Sequence, residues 1–345
     1  MNPAQSKLLG ASRLRPLEWA FWLLAFAAPL LAPKHALIVN EIAIVALFAV
    51  SLDLVLGYAG IVSLGHAAFF GMGAYTAALF AKHQLPIADW LMRSTGLDAT
   101  SWIVKGLLPE PLLGLALAVL AATALGALCS LSIMRGSDLT RLMVTLGVGL
   151  LLLELANKLD WLTGGADGLQ GVVLGPVLGR FEFDLQGQTA AWYSLCVFLV
   201  LFALARRLAH SPFGATLKAV RDNRLRAMAI GVPVGERLAL VYTLAAGMAG
   251  AAGALLAQTT GFASLDVFAF ERSADVMLML VIGGVGWLYG GVAGAVVFKL
   301  MQDVISAITP QYWTFWIGLF LVVLVLVGRE RLIRPWTWRI RAGTK

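Results

Sequence analysis

The stretch LDLVLGYAGIVSLGHAAFFGMGAYTAAL, Leu52–Leu79, decides the reading of this chain. It is apolar enough for a bilayer, yet Gly57, Gly60, Gly65, Gly71 and Gly73 punctuate it, with Asp53, Tyr58, Ser63 and His66 among them. A helix facing lipid needs no such mixture. Glycines let backbones approach closely, and polar groups at membrane depth are expected on a protein-enclosed path. The competing reading is a tight small-residue interface between helices, and spacing alone leaves both open.

Working outward, composition sets the class. Of the 345 residues 60% are hydrophobic and 13% charged, with a mean hydropathy of +0.84. Soluble domains carry roughly 25% charged residues. Each span takes about 20 apolar residues, so the chain has room for many spans and little for a separate soluble domain. The net charge of +7 does not point to nucleic acid, because most basic residues fall in loops and tails. Cys129 and Cys196 lie in apolar runs without CxxC spacing and read as small core residues. No His/Cys/Asp cluster has metal-ligand spacing, so no metal is expected.

Ten spans are predicted, at about 17–33, 37–56, 62–81, 111–134, 139–159, 189–208, 238–259, 273–285, 290–308 and 312–328. The first follows Lys7, Arg13 and Arg15 like a signal peptide, but with so many spans after it an uncleaved first helix is expected. The eighth is short and reads as a candidate re-entrant segment. A polar loop, about 82–110, holds prolines and a short amphipathic piece around Trp90. Segment 206–237 carries seven Arg or Lys against Asp222 and Glu236, and the tail after 328 is basic too. Positive segments stay in the cytoplasm. The expectation is an all-α polytopic bundle with both termini inside: an N-terminal segment 1–16, a transmembrane domain 17–328 and a basic tail 329–345.

Segment Ser211–Pro233, SPFGATLKAVRDNRLRAMAIGVP, is the second signal. Ser211-Pro212 is a good helix start, and Gly231 with Pro233 a good stop. About five turns are predicted between them, with Phe213, Leu217, Val220, Ala227 and Met228 on one face and Arg224 in its middle. Lying on anionic lipid, bridging two spans in solvent, and docking on a soluble partner all fit this pattern.

Together with TGGADGLQGV (Thr163–Val172) and VIGGVGWLYGGVAGAVV (Val281–Val297), these blocks resemble the permease subunits of branched-chain amino-acid ABC importers. The TGGADGL loop points to the LivM-type subunit rather than its LivH-type partner. The resemblance runs from about residue 36 to 328. It implies a bacterial cytoplasmic-membrane importer with a second, LivH-type permease, two cytoplasmic ATP-binding subunits that hydrolyse the ATP, and a periplasmic or extracellular solute-binding protein. The chain itself would bind no cofactor. The basic segment would contain the coupling helix, about 211–230, with Phe213, Arg221, Asp222, Asn223 and Arg224 facing the ATPase. Tyr58, Ser63, His66, Tyr75 and Thr76 would line or frame the path shared with the other permease, and Glu154 would add a polar wall. Branched-chain amino acids are the default cargo, with other amino acids, urea, amides and aromatic acids as alternatives.

The absence of a GxxxxGK[ST] loop agrees with energy supplied by a partner. Gly284-Val-Gly286 is no dinucleotide fingerprint, since Tyr289 stands at the third glycine position. Charged residues in spans are costly, and each needs a reason. Glu154 with Lys158, and Lys299 with Asp303, carry i, i+4 spacing. The favoured reading for both is structural pairing between helices, with Lys158 and Asp303 reaching toward the outer interface, and the functional alternative is a polar wall along the path. Asp53 and Glu41 read as hydrated span ends. The rival functional reading is a self-sufficient ion- or proton-coupled transporter using Glu154, Asp53 or His66. A membrane enzyme built on Ser63 and His66 lacks a third group and a nucleophile elbow, so no catalytic residue is expected.

Overall fold

Lipid offers no hydrogen bonds, so an apolar chain at membrane depth must satisfy its backbone internally, and helices do this segment by segment. The computed structural model, which describes residues 16–95, 110–135, 138–184 and 186–327, is mainly helical. In chain order the principal helices are α1 (Pro16–Leu31), α2 (Ala36–Asp53), α3 (Ala67–Thr95), α4 (Pro111–Arg135), α5 (Asp138–Lys158) and α6 (Gln188–Ala209). Then follow α7 (Pro212–Asp222), α8 (Arg224–Ala229), α9 (Val234–Thr260), α10 (Phe270–Gly283), α11 (Leu288–Ile308) and α12 (Trp313–Val327). Among the described residues no strand forms; two isolated bridges, Leu169 with Ala263 and Val177 with Phe181, are the only β-type pairings. The expected segment 1–16, but for Pro16, and the tail 329–345 lie outside the described residues.

Each of the ten segments expected to span overlaps one of these helices, though not with the expected bounds. Among the described residues six helical segments are both long and apolar enough to cross a membrane: Pro33–Tyr58, Pro111–Ser132, Leu139–Lys158, Gln188–Ala209, Val234–Thr260 and Leu288–Ile308. Helix α10 has 14 residues, about 21 Å at 1.5 Å per residue, which falls short of a ~30 Å hydrocarbon core. The loop expected to start at 82 does not: α3 runs on to Thr95 and takes Trp90 with it.

Helices α2 and α9 form the centre. Buried residues make up 72% and 78% of their apolar windows, against 22% for α5. Helix α9 packs chiefly on α4 and α3, α2 on α6 and α11, and α10 on α11. Small residues make these contacts close: a Cβ on Gly73 would strike the Gly250 carbonyl, and one on Gly253 the Phe70 carbonyl. The outward faces of α1, α4, α5 and α12 expose Leu, Val, Phe and Trp side chains in continuous tracts, as expected for lipid or a partner subunit rather than water.

The stretch that opened the reading is not a continuous pair of spans. Helix α2 widens into a π-helical turn at Leu54–Tyr58, the backbone leaves helical geometry from Ala59 to His66, and α3 begins only at Ala67. The third span was expected from residue 62. Non-helical backbone at membrane depth is tolerated where protein encloses it, and Ile61, Ser63, Gly65 and His66 are all buried.

Candidate functional site

The basic segment after α6 turns back beneath the end of α2. Ser211 caps α7 by accepting from the Gly214 N–H, and Pro212 occupies the first turn. The short amphipathic helix buries Leu217 and Val220 and turns Lys218 and Ala219 outward. The five-turn helix expected from the sequence is in fact two. Asn223 adopts an extended backbone (φ −158°, ψ 102°), and its side chain accepts from the Arg226 N–H at 2.9 Å. An asparagine that caps the next helix competes with continuing the previous one. The break changes the register. Ala227 is buried, but Met228, expected on the same face, is 47% exposed, and Leu225 (75%) and Ile230 (72%) join it. Three exposed apolar side chains thus crowd a six-residue helix and its end. Sequence periodicity misses them because it assumes unbroken helix.

Arg221 does not point away from the protein body. Its guanidinium donates to the Gly57 carbonyl in the π-turn and also touches the Asp222 carboxylate at 3.4 Å. Four positions before Gly57, Asp53 is completely buried, and its Oδ1 accepts from the Gly286 N–H at 2.7 Å. Asp53 is therefore not the hydrated span end expected. Lys218 lies over the Tyr58 ring, 4.9 Å from its centre. Three elements meet here: α7, the π-turn and the Gly284–Trp287 connection between α10 and α11. Glycine is required twice. A Cβ on Gly57 would collide with Asp53 Oδ1 and the Gly286 backbone, and Gly286 has φ +83°, where L side chains are strained. A π-turn widens the backbone and leaves carbonyls free to accept from outside the helix, as Gly57 does from Arg221.

The residues expected along a path occupy two different environments. Tyr58, Ser63, His66 and Tyr75 are each 4% exposed or less. The His66 ring stacks on Phe48 (5.6 Å, 9°) and its Nε2 lies 2.9 Å from Ser51 Oγ. The Ser51 hydroxyl spends its single proton on the Phe48 carbonyl, 2.6 Å away, so His66 Nε2 is the donor in that contact. Ser63 is not its partner. Tyr75 stacks on Phe268 at 5.3 Å. Thr76 is half-buried and bonds its own helix at Met72. Glu154 pairs with Lys158 at 3.3 Å within its own helix, but both side chains are exposed, 54% and 75%. Lys299 pairs between helices, as expected, but not through its i, i+4 neighbour Asp303: it reaches Glu41 on α2 at 2.5 Å, and also Gln302 at 3.2 Å. Opposite charges near one level of neighbouring helices override the i, i+4 spacing.

Two buried polar networks escaped the sequence reading. Asn40 donates to Thr259 (3.0 Å) and accepts from Ser194 (2.6 Å), joining α2, α9 and α6. Tyr193 donates to Gln258 (2.9 Å), whose amide donates to the Pro111 carbonyl (2.7 Å). The polar residues inside spans signalled them; their partners are more than 60 positions away. The TGGADGL loop is held by Thr163, whose single hydroxyl proton lies within reach of both the Ala156 and Leu159 carbonyls, and by the Leu169–Ala263 bridge. Among the described residues no three His, Cys, Asp or Glu side chains converge as a metal set.

The family model described as "Branched-chain amino acid transport system / permease component" matches residues 36–327. The LivM permease protein of the high-affinity branched-chain amino acid transport system of Escherichia coli K12 is 24% identical, over 92% of this chain and 74% of its own length. The LivH permease protein of Salmonella typhimurium is 21% identical over 82% of this chain and 88% of its own. The autoinducer 2 import system permease protein LsrC of Klebsiella pneumoniae is 30% identical over 54% of each chain. No solved structure matches.

Proposed function

The chain belongs to the family of permease components of branched-chain amino acid transport systems and is a membrane permease subunit of an ABC importer, and from that premise we propose how it is oriented, assembled and driven. Ten helices, α1 to α6 and α9 to α12, cross or enter the cytoplasmic membrane of a bacterium, with both termini and the α7–α8 segment inside. The permease domain covers 17–328. A LivH-type permease completes the path, two ATP-binding subunits dock on the cytoplasmic side, and an external solute-binding protein delivers cargo. Branched-chain amino acids are the first candidates. The likeness to a permease named for autoinducer 2 import supports keeping other small solutes in view, with selectivity resting on the binding protein.

One observation carries this reading. A short basic helix is tied through Arg221 to the π-turn that ends a central span, while the next turn leaves Leu225, Met228 and Ile230 uncovered. This is the layout required of an element that meets a soluble motor on one side and a membrane path on the other. In the proposal the ATPase rests on Asp222, Asn223, Arg224 and the exposed apolar trio. Arg221 and Phe213 hold that surface to the membrane core; Phe213 lies under Arg237, 5.4 Å from ring centre to guanidinium. Tyr58, Ser63, His66 and Tyr75 frame the path from behind as a packed wall. Thr76 and Glu154, on more open faces, meet the partner permease or the solute.

The test is co-purification with the ATP-binding subunits. Leu225→Glu with Met228→Glu should abolish their retention while the two permeases stay together. Uptake by vesicles containing this chain alone, driven by a proton or sodium gradient, would overturn the reading in favour of a self-sufficient transporter.

A further inference from the structure

Helices α1 and α6 run antiparallel and leave between them a groove of about 650 Å³ that the described residues do not fill. Its walls are apolar and aromatic, with Trp19 and Phe26 from α1 and Leu199 and Phe202 from α6. Its far wall ends in Arg206 and Arg207. Arg206 is engaged at the floor by Glu18 at 2.8 Å, with both side chains largely buried. Arg207, one residue on, is exposed and lies in no ion pair among the described residues. The groove therefore has a dry channel and a single cationic mouth.

Charge and depth place that mouth at a membrane surface. Arg13 and Arg15 directly precede α1, and the basic segment 211–237 directly follows α6, so positive residues gather at this end of both helices, the pattern of the cytoplasmic face. Trp19, 57% exposed at the same end, sits where an interfacial tryptophan is expected. From Trp19 to Phe26 the groove runs seven residues, about 10 Å along the helix, into the depth of the hydrocarbon. Leu23 and Leu24 beside it are exposed at 69% and 68%, so the groove opens sideways toward lipid.

We propose that this groove is a binding site for an anionic glycerophospholipid of the inner leaflet, with an acyl chain along the α1–α6 channel and the phosphate on Arg207. A neighbouring apolar protein helix would fill the channel but leave the arginine uncompensated. A phospholipid supplies both parts, and basic pockets between spans on the cytoplasmic side have the chemistry to hold anionic headgroups. The Glu18–Arg206 pair keeps the floor neutral, so the selectivity for negative charge rests on Arg207.

The experiment is native mass spectrometry of the full chain, purified with its partner subunits, in detergent containing equal phosphatidylglycerol and phosphatidylcholine of matched chains. Arg207→Gln removes the charge without touching the buried pair. Ala203→Trp, at an exposed position on the groove wall, fills the channel. Wild-type protein should retain phosphatidylglycerol in preference. Arg207→Gln should cut that preference about fivefold, the worth of one arginine at a charged membrane surface, and Ala203→Trp should remove bound lipid of both kinds. Equal retention of the two lipids by wild-type protein, or retention unchanged by Arg207→Gln, would overturn the proposal. So would cross-linking of Leu23→Cys to another subunit at high yield, which would show protein in the groove. Should Ala203→Trp fail to fold, Arg207→Gln still decides.

Discussion

Replacing Gly57 by alanine should loosen the junction of α7, the π-turn and the α10–α11 connection. The added Cβ would meet Asp53 Oδ1 first, and would stand 2.5 Å from Gly286 N and 2.7 Å from Gly286 Cα. Carbon contacts are comfortable at about 3.5–4.0 Å, so the Asp53 carboxylate and the Gly286 backbone must give way by roughly 1 Å. The Asp53–Gly286 hydrogen bond, 2.7 Å long, joins the two displaced groups and is lost. Overpacking of this kind costs about 1–3 kcal/mol, and an amide left without its acceptor about 1–3 kcal/mol. One displacement causes both, so the two do not sum fully, and about 2–4 kcal/mol is expected. The control is Gly147→Ala on α5, where a new Cβ meets nothing within 4 Å and the change should stay within about 1 kcal/mol. The assay is thermal unfolding of the purified chain in a Cys196→Ser background, followed by a thiol-reactive dye. Cys129 is buried and Cys196 exposed, so the dye then reports only loss of the packed core. Gly57→Ala should unfold several degrees below both wild type and Gly147→Ala. In the assembled importer it should also hydrolyse more ATP per solute moved, because the motor-facing helix no longer holds the π-turn. Unchanged unfolding of Gly57→Ala would refute the packing argument; an unchanged coupling ratio would refute its link to transport.

Asp53→Ala should lower stability in the same dye assay by about 1–3 kcal/mol, whereas Asp53→Asn, which keeps an oxygen for the Gly286 N–H, should cost less; equal losses would contradict the role of that oxygen. Asn40→Leu should destabilise by about 1–3 kcal/mol, because Ser194 loses its acceptor in a buried site. A double-mutant cycle with Ser194→Ala should return a coupling of about 0.5–3 kcal/mol, and a value of zero would dismiss the network. Asn223→Ala should remove the cap of α8 at about 0.5–2 kcal/mol, visible as faster hydrogen exchange at 224–229 with α7 unaffected; exchange unchanged there would mean that the cap does not hold the helix.

Much of the candidate site was visible before the structure, but few of its internal partners were. Arg221 stood out by its place in a basic helix as a contact for a soluble partner, and the structure adds its bond to the Gly57 carbonyl. Lys299 was expected to pair between helices, and the partner is Glu41. The glycines of Leu52–Leu79 left a path helix and a tight interface both open; Gly71 and Gly73 pack against Phe268 and Gly250, and Gly57 gives room to Asp53. In each case the deciding neighbour lies far away in sequence, where periodicity has no reach.

The sequence by itself determined that this is a membrane protein of many helices, with a basic amphipathic helix after α6 and a position in a known permease family. Those properties follow from composition and from hydrogen bonds within three to four residues, which an apolar segment in lipid must make with itself. Only the tertiary structure decided that Leu52–Leu79 breaks into a π-turn and a buried irregular segment. Its Gly57 and Asp53 act through Gly286, more than 200 residues further on. Backbone may leave the helix at membrane depth when other elements enclose it and supply its hydrogen bonds, and which elements do so is a matter of long-range packing.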